Sequence, residues 1–63
     1  MAYLAVDKDG TECITTCPPV RMRKLGEWGI AYELGNNFAE LPPGSIKKLI
    51  GRELTWDDEP VKI

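Results

Sequence analysis

The chain has 63 residues, of which 43% are hydrophobic, with 8 Lys and Arg against 10 Asp and Glu, a net charge of −2 and no histidine. This length favours a single domain over residues 1–63 and excludes separate cofactor and substrate domains. The balanced charge excludes a disordered acidic tail and a basic nucleic-acid arm. A domain of this size buries only about 60% of its unfolded surface, so we expect it to gain stability as a homo-oligomer.

The first two predicted elements are strands joined by a tight turn. Residues 3–6 alternate, with Leu4 and Val6 on one face. Residues 11–16 are rich in β-branched residues, which favour strands. The sequence DKDG lies between them and suits a turn, because its glycine accepts a positive φ. The N-terminal segment is therefore predicted to form a β-hairpin.

The middle of the chain predicts two further strands. Two consecutive prolines end the second strand, because proline offers no N–H to a sheet. Residues 20–25 then form a short strand that places Arg21 and Arg23 on one face. Residues 28–34 form a longer strand in which every second residue is large and apolar. These large residues are Trp28, Ile30, Tyr32 and Leu34.

Two short strands are predicted in the second half of the chain. The sequence GNN at residues 35–37 tolerates left-handed backbone and turns the chain into a strand at residues 38–41. Thr55 and Asp58 match a capping pattern that predicts a single turn, and residues 61–63 can add a last strand.

A helix is predicted over about residues 43–51, where the spacing of the apolar residues becomes helical. Ser45 is a suitable N-cap, although Pro43 is a rival start. Gly51 is the expected left-handed stop. A two-turn helix is unstable alone, so its apolar side must lie on the sheet. The apolar residues are Ile46, Leu49 and Ile50.

Together these elements predict an α+β fold, with a small antiparallel sheet of four to six short strands and one short helix in the C-terminal half. The sheet would be covered by the helix on one face.

The residue types argue against catalysis, a bound metal or a cofactor. Without histidine the chain lacks the side chain that most often moves protons near neutral pH. Cys13 and Cys17 lie too far apart on an extended strand for a disulfide, and their spacing is not a usual zinc pair. They are interpreted as small buried residues. The acidic run at residues 57–59 is interpreted as a solvated turn.

The sequence also indicates a compartment. It contains no stretch of the roughly 18–20 apolar residues that a membrane helix needs, and its first residues lack the basic region of a signal peptide. We therefore expect a cytoplasmic protein, in which both thiols stay reduced.

Basic and aromatic residues form two candidate ligand patches, one at residues 21–24 with Trp28 and one around the predicted helix and Trp56. Cations neutralise phosphate and an indole stacks on a base, which suits a nucleotide. The alternative interpretation is that the cations are solvated and the tryptophans belong to the core. If the site binds a phosphate, replacing Arg21 or Arg23 by alanine should weaken binding by roughly 1.5–3 kcal/mol without changing the melting temperature. The candidate residues are Arg21, Arg23, Lys24, Trp28, Lys47, Lys48, Arg52 and Trp56.

Two segments carry a resemblance to known proteins. Residues 41–61, LPPGSIKKLIGRELTWDDEPV, and the opening YLAVDKDGTE resemble a group of small proteins encoded by phages and prophages of gut bacteria. This resemblance covers about half of the chain and carries no catalytic motif. It implies an accessory protein that binds and disables a host component, including components of host immunity.

The sequence is compatible with three functions. The first is a non-enzymatic counter-defence protein that sequesters a nucleotide immune signal in a homo-oligomer. The second is a direct inhibitor of a host defence protein, such as a CRISPR nuclease. The third is an accessory phage domain with no role in defence. Sequence-specific DNA binding is disfavoured, because the chain is acidic and has no helix long enough to read a groove.

Overall fold

The structure is a computed structural model that describes residues 1–31 and 35–63. Within these residues, six short strands in two antiparallel sheets and one short helix confirm the predicted α+β class. The elements in chain order are β1 (Tyr3–Val6), β2 (Glu12–Thr15), β3 (Val20–Met22), β4 (Glu27–Gly29), β5 (Phe38–Leu41), α1 (Ser45–Ile50) and β6 (Val61–Lys62).

The predicted N-terminal hairpin is confirmed. Strands β1 and β2 pair antiparallel, with Leu4 opposite Ile14 and Ala5 opposite Cys13. The turn between them closes through Gly10, whose φ is +92° and whose N–H lies 2.9 Å from the Asp7 carbonyl oxygen. This hairpin forms the centre of a four-stranded sheet in the order β5-β2-β1-β6.

The four-stranded sheet is covered on both faces. On one face, Leu4 and Val6 pack with Ile46 of the helix and with Leu54. On the other, Ala5 and Cys13 pack against Trp28 of β4, and Trp56 lies over them. The molecule therefore has three layers, which are the helix, the four-stranded sheet and the β3–β4 hairpin.

The β3–β4 hairpin is shorter than the sequence predicts. Strand β3 ends at Met22, because the N–H groups of Leu25 and Gly26 both donate to the Met22 carbonyl oxygen, at 3.1 and 3.0 Å, and so close a tight turn. Arg23 lies in this turn, so the prediction that Arg21 and Arg23 share one strand face is wrong.

The strand predicted at residues 28–34 is also shorter in the described part of the chain. Strand β4 covers Glu27–Gly29, and Ile30 is buried just beyond it. The predicted strand residues Tyr32 and Leu34 lie outside the described residues. The Met22 side chain lies over Gly29, and a Cβ at that position would be 2.5 Å from the Met22 sulfur, so the Met22 side chain would have to move.

The helix begins at Ser45 and ends at Ile50, within the predicted range, but its N-terminus is built differently. Gly44 is the N-cap, with φ of +88°, and the Ser45 hydroxyl donates instead to the Pro42 carbonyl oxygen at 2.6 Å. The carboxylate of Glu12 accepts hydrogen bonds from the N–H groups of Gly44 and Ile46, at 2.6 and 2.8 Å. A side chain of β2 therefore caps the helix.

The helix C-terminus agrees with the sequence. Gly51 has φ of +81°, and its N–H donates to the Lys47 carbonyl oxygen at 2.8 Å. The predicted apolar side is only partly covered, because Ile46 is buried while Leu49 is 56% exposed.

Replacing Glu12 by alanine is expected to lower the free energy of unfolding by about 1–2 kcal/mol. Two N–H groups at the start of α1 would lose a charged acceptor, and a lost cap costs about this much. Urea unfolding measures the loss, with Glu53→Ala as the control because Glu53 is exposed. Equal stabilities for the two variants would contradict the capping role.

Candidate functional site

Arg21 packs against both tryptophans. Its Cζ is 4.7 Å from the centroid of the Trp28 ring and 5.3 Å from that of Trp56, distances typical of cation–π contacts. The two rings contact each other edge to face, with centroids 5.7 Å apart. We call this arrangement of Arg21, Trp28 and Trp56 the Arg21 clasp.

Hydrogen bonds fix the guanidinium within the clasp. One Nη donates to the carbonyl oxygens of Trp56 and Asp58, at 3.0 and 3.1 Å. The other Nη lies 3.9 Å from a carboxylate oxygen of Glu59, whose side chain is exposed, so this ion pair contributes little. The Arg21 side chain is only 16% exposed.

Both strands and the C-terminal segment position the clasp. Arg21 is directly opposite Trp28 in the β3–β4 ladder, so the two side chains leave the same face. The Trp28 indole N–H donates to the Val6 carbonyl oxygen at 2.8 Å, and its backbone N–H donates to a carboxylate oxygen of Asp7 at 2.9 Å. The clasp therefore joins the hairpin to β1 and to the segment after the helix.

The structure places only three of the eight candidate ligand residues in one cluster. These three side chains bind to other parts of the chain and so are not free to bind a ligand. The guanidinium of Arg21 and the rings of Trp28 and Trp56 are directed at one another. Arg21 was expected to contribute little to stability. Its hydrogen bonds and its contacts with the two indole rings indicate a larger contribution. The five remaining candidates are exposed, namely Arg23, Lys24, Lys47, Lys48 and Arg52.

A cavity of about 280 Å³ lies between the β1–β2 turn, the helix and the following segment. Its charged lining consists of three carboxylates and two ammonium groups, and the Glu12 carboxylate already binds two backbone N–H groups. A lining with more acids than bases does not favour a phosphate. The charged residues are Asp7, Lys8, Glu12, Lys47 and Glu53.

A second surface is apolar and was not predicted as a site. The outward side of the β3–β4 hairpin presents Val20, Met22 and Leu25, which are 64%, 44% and 63% exposed, and beside them lies Phe38 at 46%. Met22, Leu25 and Phe38 line a groove of about 400 Å³, in which Glu27 is the only charged lining residue in the described part of the chain. We call these four side chains the apolar face. The alternation of Val20 and Met22 was its signal in the sequence.

The two cysteines are free thiols and lie in different surroundings. Cys13 is fully buried, and burial, with a smaller contribution from the nearby Asp7 carboxylate, raises the pKa of its thiol to about 11. Cys17 lies beyond the end of β2 and is half-buried. A thiol that stays protonated near neutral pH is a poor nucleophile.

The raised pKa of Cys13 predicts a loss of stability at high pH. The ordinary pKa is 9.0, so between about pH 9 and 11 the unfolded chain loses a proton that the folded chain keeps. The contribution of the protonated Cys13 thiol to the free energy of unfolding is therefore complete below pH 9 and decreases as the pH rises towards 11. Urea unfolding across this range should show a steeper decline for the native chain than for Cys13→Ala, and parallel declines would contradict the raised pKa.

Neither a metal cluster nor a membrane helix is found in residues 1–31 and 35–63. These residues contain no group of three or more Cys, Asp or Glu side chains placed to hold a metal ion. The helix that they form is too short and too polar to cross a bilayer.

No family model, curated protein or solved structure matches the chain.

Proposed function

We propose that the protein is a non-enzymatic binding module that holds another protein surface against its apolar face. The observation that carries this proposal is the exposure of Met22, Leu25 and Phe38 around one groove, with the exposed Val20 on the same face of β3 as Met22.

The fold does not need these side chains to be apolar. The inward side of the hairpin is already complete, because Arg21 and Trp28 pack there against the sheet. At Val20 and Leu25, which are 64% and 63% exposed, polar side chains would serve the fold as well and would be better solvated. Contiguous apolar patches on small proteins are typical of binding surfaces, and large side chains such as Met and Phe are enriched in interface cores.

A random peptide display library tests this proposal and requires no candidate target. Peptides selected on the native chain should contain apolar anchors and should lose at least about tenfold in affinity for Leu25→Asp, because a charge would enter the contact. Leu49→Asp is the matched control, since Leu49 is a similarly exposed leucine on the helix, outside the groove. Selected peptides that bind all three chains equally would contradict the proposal.

A second function is sequestration of a nucleotide-type signal. It is favoured by the exposure of Lys47 and Lys48 on the helix and of Arg52 directly after it, which leaves their charges open to an anion. At about 100 times its Kd, a ligand that binds only the folded chain adds roughly 2.7 kcal/mol, which is a rise in melting temperature on the order of 10 °C. A panel of cyclic and ADP-ribose-type nucleotides that produces no rise would contradict this function.

Both functions fit the counter-defence role that the resemblance to phage proteins implies. In that setting the chain would act in the cytoplasm of an infected bacterium, by occupying either a host defence protein or its nucleotide signal. The peptide and nucleotide experiments separate these two targets.

A further inference from the structure

We infer that the protein surface that covers the apolar face is a second copy of this chain, so that the module is a two-fold homodimer. This inference rests on the proposed function and names its partner. Three properties of the described residues support it, which are the area of the face, the placement of charges around it and the large total surface of the single chain.

The single chain exposes more surface than its mass predicts. Its accessible area is 4437 Å², whereas a compact monomer of 7.1 kDa is expected to expose about 4,100 Å². The excess accessible area is about as large as one apolar patch. In a contact between two copies, one such patch is covered on each copy.

The area of the face suits a small dimer. From their exposed fractions, the four side chains present on the order of 400 Å², which lies within the usual range for the largest patch of a monomer. Two copies that cover each other bury twice this apolar area. That apolar area is about 800 Å², and polar residues around it would bring the contact towards the roughly 1,000 Å² that a specific interface needs.

The charges beside the face suit a contact between identical surfaces. The hairpin turn carries Arg23 and Lys24, and both are exposed. Among the described residues, the acids beside the face include Glu27, opposite Met22, and Glu40, which shares a face of β5 with Phe38 and is exposed. A two-fold contact presents the same surface twice, so charged side chains can form pairs across it only when that surface carries both signs of charge.

We therefore place the basic turn of each copy against Glu40 of the other, with the apolar side chains between them. A surface with charges of only one sign would instead repel its own copy and favour a different partner of opposite charge. The presence of both signs is the reason to choose a second copy as the partner.

Light scattering and sedimentation equilibrium from about 1 μM to about 1 mM test the inference. The native chain should approach twice its 7.1 kDa mass as the concentration rises. Leu25→Asp should weaken self-association at least about tenfold, whereas the control Leu49→Asp should associate like the native chain. Circular dichroism checks that both variants are folded, which their exposed positions favour.

Charge reversal tests the two-fold arrangement. Arg23→Glu and Glu40→Lys should each weaken self-association, because each homodimer then contains two repulsive pairs. An equimolar mixture of the two variants should associate again, because both pairs in the mixed dimer have opposite charges. A mixture that stays monomeric would overturn the arrangement.

The outcomes separate the inference from the proposed function. A native chain that remains a monomer at every concentration overturns the inference, and so does a dimer that is unaffected by Leu25→Asp. If the selected peptides still require Leu25 in either case, the apolar face remains a protein-binding surface with a different partner.

Discussion

Replacing Trp28 by alanine is expected to lower the free energy of unfolding by about 3–5 kcal/mol, the usual cost of truncating a buried tryptophan. Trp28 is buried between the hairpin and the sheet, and its indole N–H is bonded to the Val6 carbonyl oxygen. The substitution leaves a cavity, leaves that carbonyl without its donor and removes one ring from Arg21. Since small domains are only marginally stable, most of the variant should be unfolded at room temperature.

Circular dichroism and urea unfolding measure this loss. Trp28→Phe separates the two contributions, because it keeps an aromatic ring and removes the N–H donor, and we expect an intermediate loss of about 1–2 kcal/mol. Trp56→Ala compares the loss at the centre of the cluster with the loss at its edge, since Trp56 is half-buried and lies at the edge of the same cluster. If Trp28→Ala were no less stable than Trp56→Ala, the central role of Trp28 would be wrong.

Replacing Arg21 by alanine is expected to lower the free energy of unfolding by about 3 kcal/mol. Hydrogen bonds from a charged donor contribute about 1.5–3 kcal/mol, and a partly buried cation–π contact adds about 1 kcal/mol. Arg21 makes both kinds of contact, with the carbonyl oxygens of Trp56 and Asp58 and with the two indole rings. For a domain of this length, the loss corresponds to a decrease in melting temperature on the order of 15 °C.

The neighbouring Arg23 is the matched control. It carries the same charge two residues away but is exposed in the turn, so Arg23→Ala should change stability by less than about 0.5 kcal/mol. Arg21→Lys should recover only part of the loss, because an ammonium group lacks the planar shape that stacks on indole. A melting temperature of Arg21→Ala equal to that of Arg23→Ala would show that the clasp does not stabilise the fold.

The parts of the fold that could be predicted from the sequence are those determined by residues close together in the chain. The N-terminal hairpin follows from the alternation in β1 and from the glycine in its turn, and both signals lie within a few residues. The end of the helix follows in the same way from Gly51. The start of the helix could not be predicted, because its cap comes from Glu12, which lies 32 and 34 residues before the two N–H groups that it binds.

The difference between near and distant residues in the chain also explains why the candidate site was predicted only in part. Arg21 was grouped with Trp28, which is close to it in the sequence, but Trp56 and the two carbonyl oxygens that hold Arg21 lie 35 and 37 residues further along the chain. Only the folded structure shows that these carbonyl oxygens accept the hydrogen bonds that Arg21 would otherwise offer to a ligand. The alternation of Val20 and Met22 predicts which residues share a face, but it does not tell which face the rest of the molecule covers.

The pairing of β1 with β6 has a mechanical consequence. Ala2 and Ile63 exchange two backbone hydrogen bonds, at 3.2 and 2.8 Å, directly beside the antiparallel pair formed by Tyr3 and Lys62. A force that pulls Ala2 and Ile63 apart acts across these bonds and loads them one after another, as in the opening of a zipper. Strands that slide along each other would share the load among all their bonds. The molecule should therefore yield at low force from this end, with β6 detaching before the β1–β2 hairpin.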